Sequence, residues 1–217
     1  MDLTTGQEQP LAIITGASDG IGYELAKQFA HYGFDLLAIA KTPAVVETEQ
    51  VCRIMGARTQ SWMIDICTKE GMNKFILKIA SLKRPIEAIS INIDLNDITF
   101  NISLVQNLIY KIIDNFRNNQ NLHILLTYPE TSELIGQTFL GNIENQIVNT
   151  SITFTALSTF TNDSNRKINS SFMAQKVFEI FIKDKDKVTQ FQDEKYSNKD
   201  DPAVCFALPQ TPHKIKH

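Results

Sequence analysis

Cysteine is scarce in this 217-residue chain, and the three present, Cys52, Cys67 and Cys205, are odd in number and far apart. They show neither CxxC pairing nor histidines at ligand spacing, which argues against a disulfide scaffold and against a metal site. No apolar run approaches the ~20 residues that a membrane-spanning helix needs. The first ten residues, MDLTTGQEQP, are polar and carry no basic region followed by an apolar stretch, so no leader peptide is expected. An excess of positive charge is missing too. The formal net charge is -3 and the lysines are dispersed, whereas nucleic-acid binding calls for a clustered positive field. These absences set an expectation of a cytoplasmic, reducing setting, with no nucleic-acid partner and no membrane.

What is present is an ordinary balance of 43% hydrophobic and 21% charged residues, enough for one domain with a full core. The reading is a single domain over 1–217, with its core over 9–188 and an irregular tail over 189–217. Strand-like and helix-like segments alternate through the first 130 residues, the pattern of a parallel sheet covered by helices. LAIIT, FDLLAIAK, TQSWMID, IEAISINI and LHILLTY read as strands. GYELAKQFAHYG, Pro43 to Met55, KEGMNKFILKIASLK and ISLVQNLIYKIIDNF read as helices. Beyond Tyr128, NQIVNTSITFTALSTF has helical spacing of apolar residues and is expected to be a helix despite its β-branched content. SSFMAQKVFEIFIKDKDK is expected to be helical as well.

The glycine cluster TGASDGIG follows a predicted strand and opens a predicted helix, the context that makes a phosphate turn. Gly16 permits the tight turn, Gly20 lets backbone approach a pyrophosphate, and Gly22 lets the helix pack on the strand, with phosphate at the helix N-terminus. The spacing of Thr15, Gly16, Gly20 and Gly22 resembles that of the short-chain dehydrogenase/reductase superfamily. The resemblance is specific over residues 10 to 130 and loose after that. It implies a doubly wound, Rossmann-like α/β fold with a parallel sheet and helices on both faces, here with a shortened C-terminal part. It also implies Thr15, Gly16, Ser18, Gly20, Ile21 and Gly22 as cofactor-binding residues. Lys41, after the second strand, occupies the position where a basic residue favours the 2′-phosphate of NADP; it reads equally as a solvated surface lysine. Asp65 in MIDIC matches the family's acid facing the adenine. Asn92 matches the first residue of the family's Asn-Ala-Gly signature, but here the signature is Asn92-Ile93-Asp94. The added bulk and negative charge weigh against the NADP binding that the resemblance implies.

The family's reaction centre is an Asn-Ser-Tyr-Lys set. Asn101 falls where the resemblance puts the asparagine, and reads equally as a helix-start amide. At the end of the fifth strand Tyr128 and Pro129 occupy the serine pair, with Pro129 on the catalytic serine. Two registers remain open for Tyr-x-x-x-Lys. One puts Asn142 and Gln146 there, in NIENQ; the other puts Ile168 and Phe172 there, in INSSF. Neither keeps the tyrosine or the lysine. The Tyr-x-x-x-Lys spacing that does occur, Tyr23 to Lys27, lies in the helix after the phosphate turn and reads as a decoy. Tyr128 is the tyrosine expected near the cleft, but position 132 is a serine and not the lysine that Tyr-x-x-x-Lys places four residues on. His31 and His123 read as structural. Glu130 and Glu133 read as solvated.

SNKDDPAVCFAL resembles the opening of the family's late helix, and no Pro-Gly pair occurs, so the substrate lid and the last strand are expected to be shortened or lost. The exposed sheet edge left behind would suit a partner chain. The sequence reading is therefore a catalytically degenerate member, a non-catalytic subunit or binding module paired with an active homologue or with itself. The alternative is an NADP-dependent oxidoreductase of ketoreductase type with a relocated or partner-supplied proton donor, Asn101 and Tyr128 being the candidates.

Overall fold

Buried apolar runs bounded by glycine and polar turns become strands here, and amphipathic runs become the helices that cover them. The computed structural model describes residues 9–92, 102–118, 121–129, 142–159, 169–186 and 203–207. In chain order these form β1 (Leu11–Thr15), α1 (Gly20–His31), β2 (Asp35–Ala40), α2 (Val45–Ile54), β3 (Thr59–Met63), α3 (Lys69–Ala80) and β4 (Ile86–Asn92). Then come α4 (Ile102–Phe116), β5 (His123–Pro129), α5 (142–147), β6 (Thr153–Thr159), α6 (Ser170–Asp186) and β7 (Ala203–Ala207).

The strands make one seven-stranded sheet in the order β3-β2-β1-β4-β5-β6-β7. β1 to β6 run parallel, and β7 pairs antiparallel with β6. Because both faces are covered, β1 and β2 read as unbroken apolar runs rather than as alternation. α1, α2 and α6 pack on one face through Leu25, Phe29, Cys52, Val177 and Phe181. α3, α4 and α5 pack on the other through Phe75, Ile109, Ile113 and Ile143. This is the doubly wound α/β architecture expected from the sequence. The strand order reverses direction between β1 and β4, and in such sheets ligands bind at the carboxyl ends of the strands at that crevice.

Three expectations for the C-terminal part are corrected. Thr153–Thr159 is strand β6 and not a helix, and only 142–147 of the preceding stretch are helical. A strand buried between neighbours has no polar face, so its apolar spacing can imitate a helix. The last strand is not lost: Ala203–Ala207, in the stretch read as an irregular tail and as the start of a late helix, pairs with β6 from Thr155↔Ala207 to Thr159↔Ala203. The edge expected to lie open at β6 is therefore covered.

The opposite end of the sheet is held by charge. Asp35, 2% exposed, accepts from Arg58 at 2.6 Å and from Arg84 at 2.7 Å. Arg84 also donates to the Gln9 carbonyl, so the starts of β1, β2 and β4 are joined in a buried network far from the turn that follows β1.

Candidate dinucleotide site

The turn from β1 into α1 is shaped by contacts on three sides. Gly16 has φ +62, and a Cβ there would lie 2.9 Å from the Asn92 carbonyl, so both conformation and space demand glycine. A Cβ on Gly22 would run into the Gly16 carbonyl, which lets the first turn of α1 press against the end of β1. Gly20, at φ +56, faces open space. The turn is thus closed at its root and open at Gly20. Asp19 is the N-cap of α1, yet its side chain caps nothing and instead accepts from Ser18 Oγ at 3.0 Å. The first N–H groups of α1 therefore keep the orphan donors of a helix start, with the positive end of the helix dipole behind them. Ser18 and Ile21 flank this opening, both half-buried.

Asn92 closes the root from β4. Its Nδ2 donates to the Thr15 carbonyl at 2.8 Å, its backbone N–H donates to Thr15 Oγ1 at 3.2 Å, and its Oδ1 accepts from Thr127 Oγ1 at 2.8 Å. Ser90 lies within 3.2 Å of its Nδ2. One side chain thus ties the ends of β1, β4 and β5 together. Thr127, Ser90 and Thr48 were not singled out by sequence. For Ser90 and Thr127 the signal was a polar residue inside an apolar strand, because a buried hydroxyl must find a partner; Thr48, between Glu47 and Glu49, carried none.

Lys41 follows β2 at the exposed rim. Asp65, after β3, is half-buried and its Oδ1 accepts from the Cys67 N–H at 3.0 Å. Both stand at the carboxyl end of the sheet, on the β2–β3 side of the turn. Asn101, Glu130 and Glu133 lie outside the described residues. Tyr128 is half-buried beside Thr127 and packs against the core of the α3–α4 face. Pro129 ends β5.

The two registers left open by sequence are separated by topology. Among the described residues, the helix between β5 and β6 is α5, with Asn142 and Gln146 in it. Phe172 belongs to α6, which follows β6 and packs on α1 on the same face of the sheet, Phe29 and Phe178 meeting edge to face at 4.9 Å. Ile168 lies outside the described residues. Tyr23 and Lys27 sit on α1, where Lys27 Nζ pairs with Glu24 Oε2 at 2.9 Å and lies over the Tyr23 ring. The hydrogen bond to Glu24 raises the Lys27 pKa. That cation serves the outer side of α1 and not a phenol at the cleft.

The short chain dehydrogenase family model matches residues 10–119 of the 217. The chain belongs to this family. A stretch of it is 35% identical over 83 residues to the very-long-chain 3-oxoacyl-CoA reductase of Vanderwaltozyma polyspora, covering 37% of this chain and 24% of that one. Another is 25% identical over 95 residues to the enzyme of that name from Aspergillus clavatus, covering 43% and 26%. The chain thus matches about a quarter of the length of these relatives. Among solved structures, the NADPH-dependent reductase YwfH of bacilysin biosynthesis superposes with a TM-score of 0.66 at 14% identity, covering 80% of this chain and 92% of that one. Actinorhodin polyketide ketoreductase with NADPH gives 0.61 at 13%, covering 82% and 92%. These structures share the fold. The match spans the glycine turn after β1 and Asn92 at the end of β4. Among the described residues no group of His, Cys, Asp and Glu could hold a metal ion, and no described helix is long and apolar enough to cross a membrane.

Proposed function

We propose that this short-chain dehydrogenase family member binds a dinucleotide but does not complete the family's proton-transfer site with its own side chains, and that it acts as a non-catalytic subunit or binding module. The observation that carries the reading is a contrast between two crossings. The β1–α1 crossing keeps an open glycine and an uncapped helix start. The β5–β6 crossing has Pro129 at the end of β5 and Asn142 and Gln146 in α5, where the family resemblance expects a serine, a tyrosine and a lysine.

The residues at the turn fit a dinucleotide. Gly16, Ser18, Gly20, Ile21 and Gly22 would cradle its pyrophosphate with backbone N–H groups, and Thr15 and Asn92 would hold the turn's root. Lys41 would meet a 2′-phosphate, which favours NADP, and Asp65 would stand near the adenine. Bound NADPH supplies a hydride, and reduction of a carbonyl then needs an acid of suitable pKa within hydrogen-bond reach of the oxygen. An amide in place of the tyrosine offers no such proton. The matching partner would be an active homologue or a second copy of this chain, in a cytoplasmic setting.

Calorimetric titration with NADPH and NADH tests the binding half. Micromolar affinity, stronger for NADPH and abolished in Gly20→Val, is expected; no heat and no thermal shift at millimolar cofactor would refute it. Absence of NADPH oxidation with 3-oxoacyl or other carbonyl substrates is expected for the isolated chain.

A second reading is an NADP-dependent ketoreductase with Tyr128 as proton donor. It is favoured by the position of Tyr128 next to Thr127, which bonds to Asn92 at the turn, and by the reductase names of the relatives. It predicts NADPH oxidation that is lost in Tyr128→Phe.

A further inference from the structure

The root of the phosphate turn is gripped residue by residue. Thr15 is held by Asn92 of β4, and Gly16 lies against the Asn92 carbonyl. Ala17 has both of its backbone polar groups claimed by protein: its N–H donates to the Ile39 carbonyl of β2 at 3.0 Å, and its C=O accepts from Thr48 Oγ1 at 2.5 Å. The grips from Asn92 and Ile39 come from the sheet. Thr48 reaches the turn from a helix.

Thr48 is fully buried in α2, 31 residues from Ala17. A threonine hydroxyl inside a helix commonly bonds back to a carbonyl of its own preceding turn. This one spans to another element instead, and a valine of the same shape would fill its space equally well. What the hydroxyl adds is the direction of the Ala17 carbonyl. That peptide unit is shared with Ser18 N–H, so fixing the carbonyl toward α2 turns the N–H the opposite way, away from α2. α2 also begins at Val45, directly after the segment that carries Lys41.

We infer that Thr48 is a positioning residue for the dinucleotide site: its hydroxyl sets the orientation of the 17–18 peptide unit, and so aims the first donor of the turn at the pyrophosphate, while tying that turn to the segment that follows β2. The inference rests on the dinucleotide reading for its consequence in binding, though not for the hydrogen bond itself. It separates Thr48 from Lys41 by ligand chemistry. Lys41 would act only on a 2′-phosphate, whereas Thr48 acts on the pyrophosphate that NADPH and NADH share.

The test compares wild type, Thr48→Val and Thr48→Ser by calorimetry with NADPH and with NADH, and by the NMR shifts of the Ala17 carbonyl carbon and the Ser18 amide in the ligand-free proteins. In Thr48→Val both affinities should fall together by about five- to tenfold, the worth of one hydrogen bond, with Thr48→Ser within about twofold of wild type. The Ala17 carbonyl-carbon and Ser18 amide shifts, which report on the peptide unit that Thr48 holds, should move in Thr48→Val and not in Thr48→Ser. Unchanged affinities in Thr48→Val, a loss confined to NADPH, or a Thr48→Ser variant as weak as Thr48→Val would overturn the assignment. Should wild type bind neither dinucleotide, the functional reading fails by itself. The shifts then decide on Thr48 alone, and Ala17 carbonyl and Ser18 amide shifts in Thr48→Val that match wild type overturn it. Should Thr48→Val not fold, Thr48→Ala, which leaves room for a water at the Ala17 carbonyl, takes its place in both measurements.

Discussion

The β1–α1 and β3–α3 crossings leave the same end of the sheet, and each passes through a glycine that no other residue could replace, yet they treat the helix start in opposite ways. At β3–α3, Thr68 caps the helix: its Oγ1 accepts from the Gly71 N–H at 3.0 Å and donates to the Asp65 carbonyl at 3.0 Å. Asp65 Oδ1 takes the Cys67 N–H. The crossing thus spends a hydroxyl and a carboxylate on two of its own N–H donors. At β1–α1, Asp19 stands at the capping position with its carboxylate turned to Ser18, and the helix start stays open. A protein gains stability from the first arrangement and an anion-binding surface from the second, because the donors left unmade are those that a phosphate would take.

The sharpest test of the shared part is packing. A Cβ at Gly22 would strike the Gly16 carbonyl, and one at Gly71 would strike the Asp65 carbonyl. Gly22→Ala and Gly71→Ala should each lower stability by about 3 kcal/mol in urea unfolding, as overpacking against rigid backbone does. Only Gly22→Ala should also weaken dinucleotide binding. Tolerance of alanine at either position would break the comparison at its base.

A smaller difference lies beneath the helices. Cys52, buried under α1, has its thiol pushed up to about 11 by burial, against a reference of 9.0, with Lys27 opposing the shift. The folded thiol keeps its proton where the unfolded one loses it. Its stabilising contribution is thus complete below pH 9.0 and is lost as pH rises toward about 11. The unfolding free energy from denaturant titrations should fall over that window by on the order of 2 kcal/mol more in wild type than in Cys52→Ala.

The two caps themselves give the next effect. Thr68→Ala should cost about 1 kcal/mol, while Asp19→Ala should change stability by less than about 0.5 kcal/mol, since its carboxylate caps nothing. Equal losses would mean that both helix starts depend on their caps. The least effect is on affinity: Asp19→Asn removes a negative charge beside the opening and should tighten NADPH binding about two- to fivefold, as calorimetry would read it, in line with a charge at a helix end.

Legibility in sequence followed the range of the interactions involved. The parallel βα units through β5 could be read from residues 10 to 130, since each strand and helix carries its own period and its own boundary residues. The glycine turn was legible because its constraints are local: φ at Gly16 and Gly20 and the close approach at Gly22 fall within eight residues. β6 was misread because its strand character depends on neighbours. Thr155 is tolerable in a buried strand only because its hydroxyl meets His123 at 2.8 Å, 32 residues away. β7 was missed for the same reason, as a short segment that becomes a strand only by pairing with β6. Within the site, Asn92 was visible as a motif remnant, whereas Thr127 and Thr48 gained their roles from partners on other elements.

The sequence by itself determined that a strand, a glycine turn and a helix would form the β1–α1 crossing, and that Pro129, Asn142 and Gln146 in one register, or Ile168 and Phe172 in the other, stand where the resemblance looks for a serine, a tyrosine and a lysine. Those are properties of residue type and short spacing. Only the tertiary structure decided which register stands between β5 and β6, that the far edge of the sheet is covered by β7, and that the root of the turn is held from β2, β4 and α2 at once. These are decided by contacts between residues tens of positions apart, which have no signature until the sheet brings their backbone and hydroxyl groups within hydrogen-bond reach.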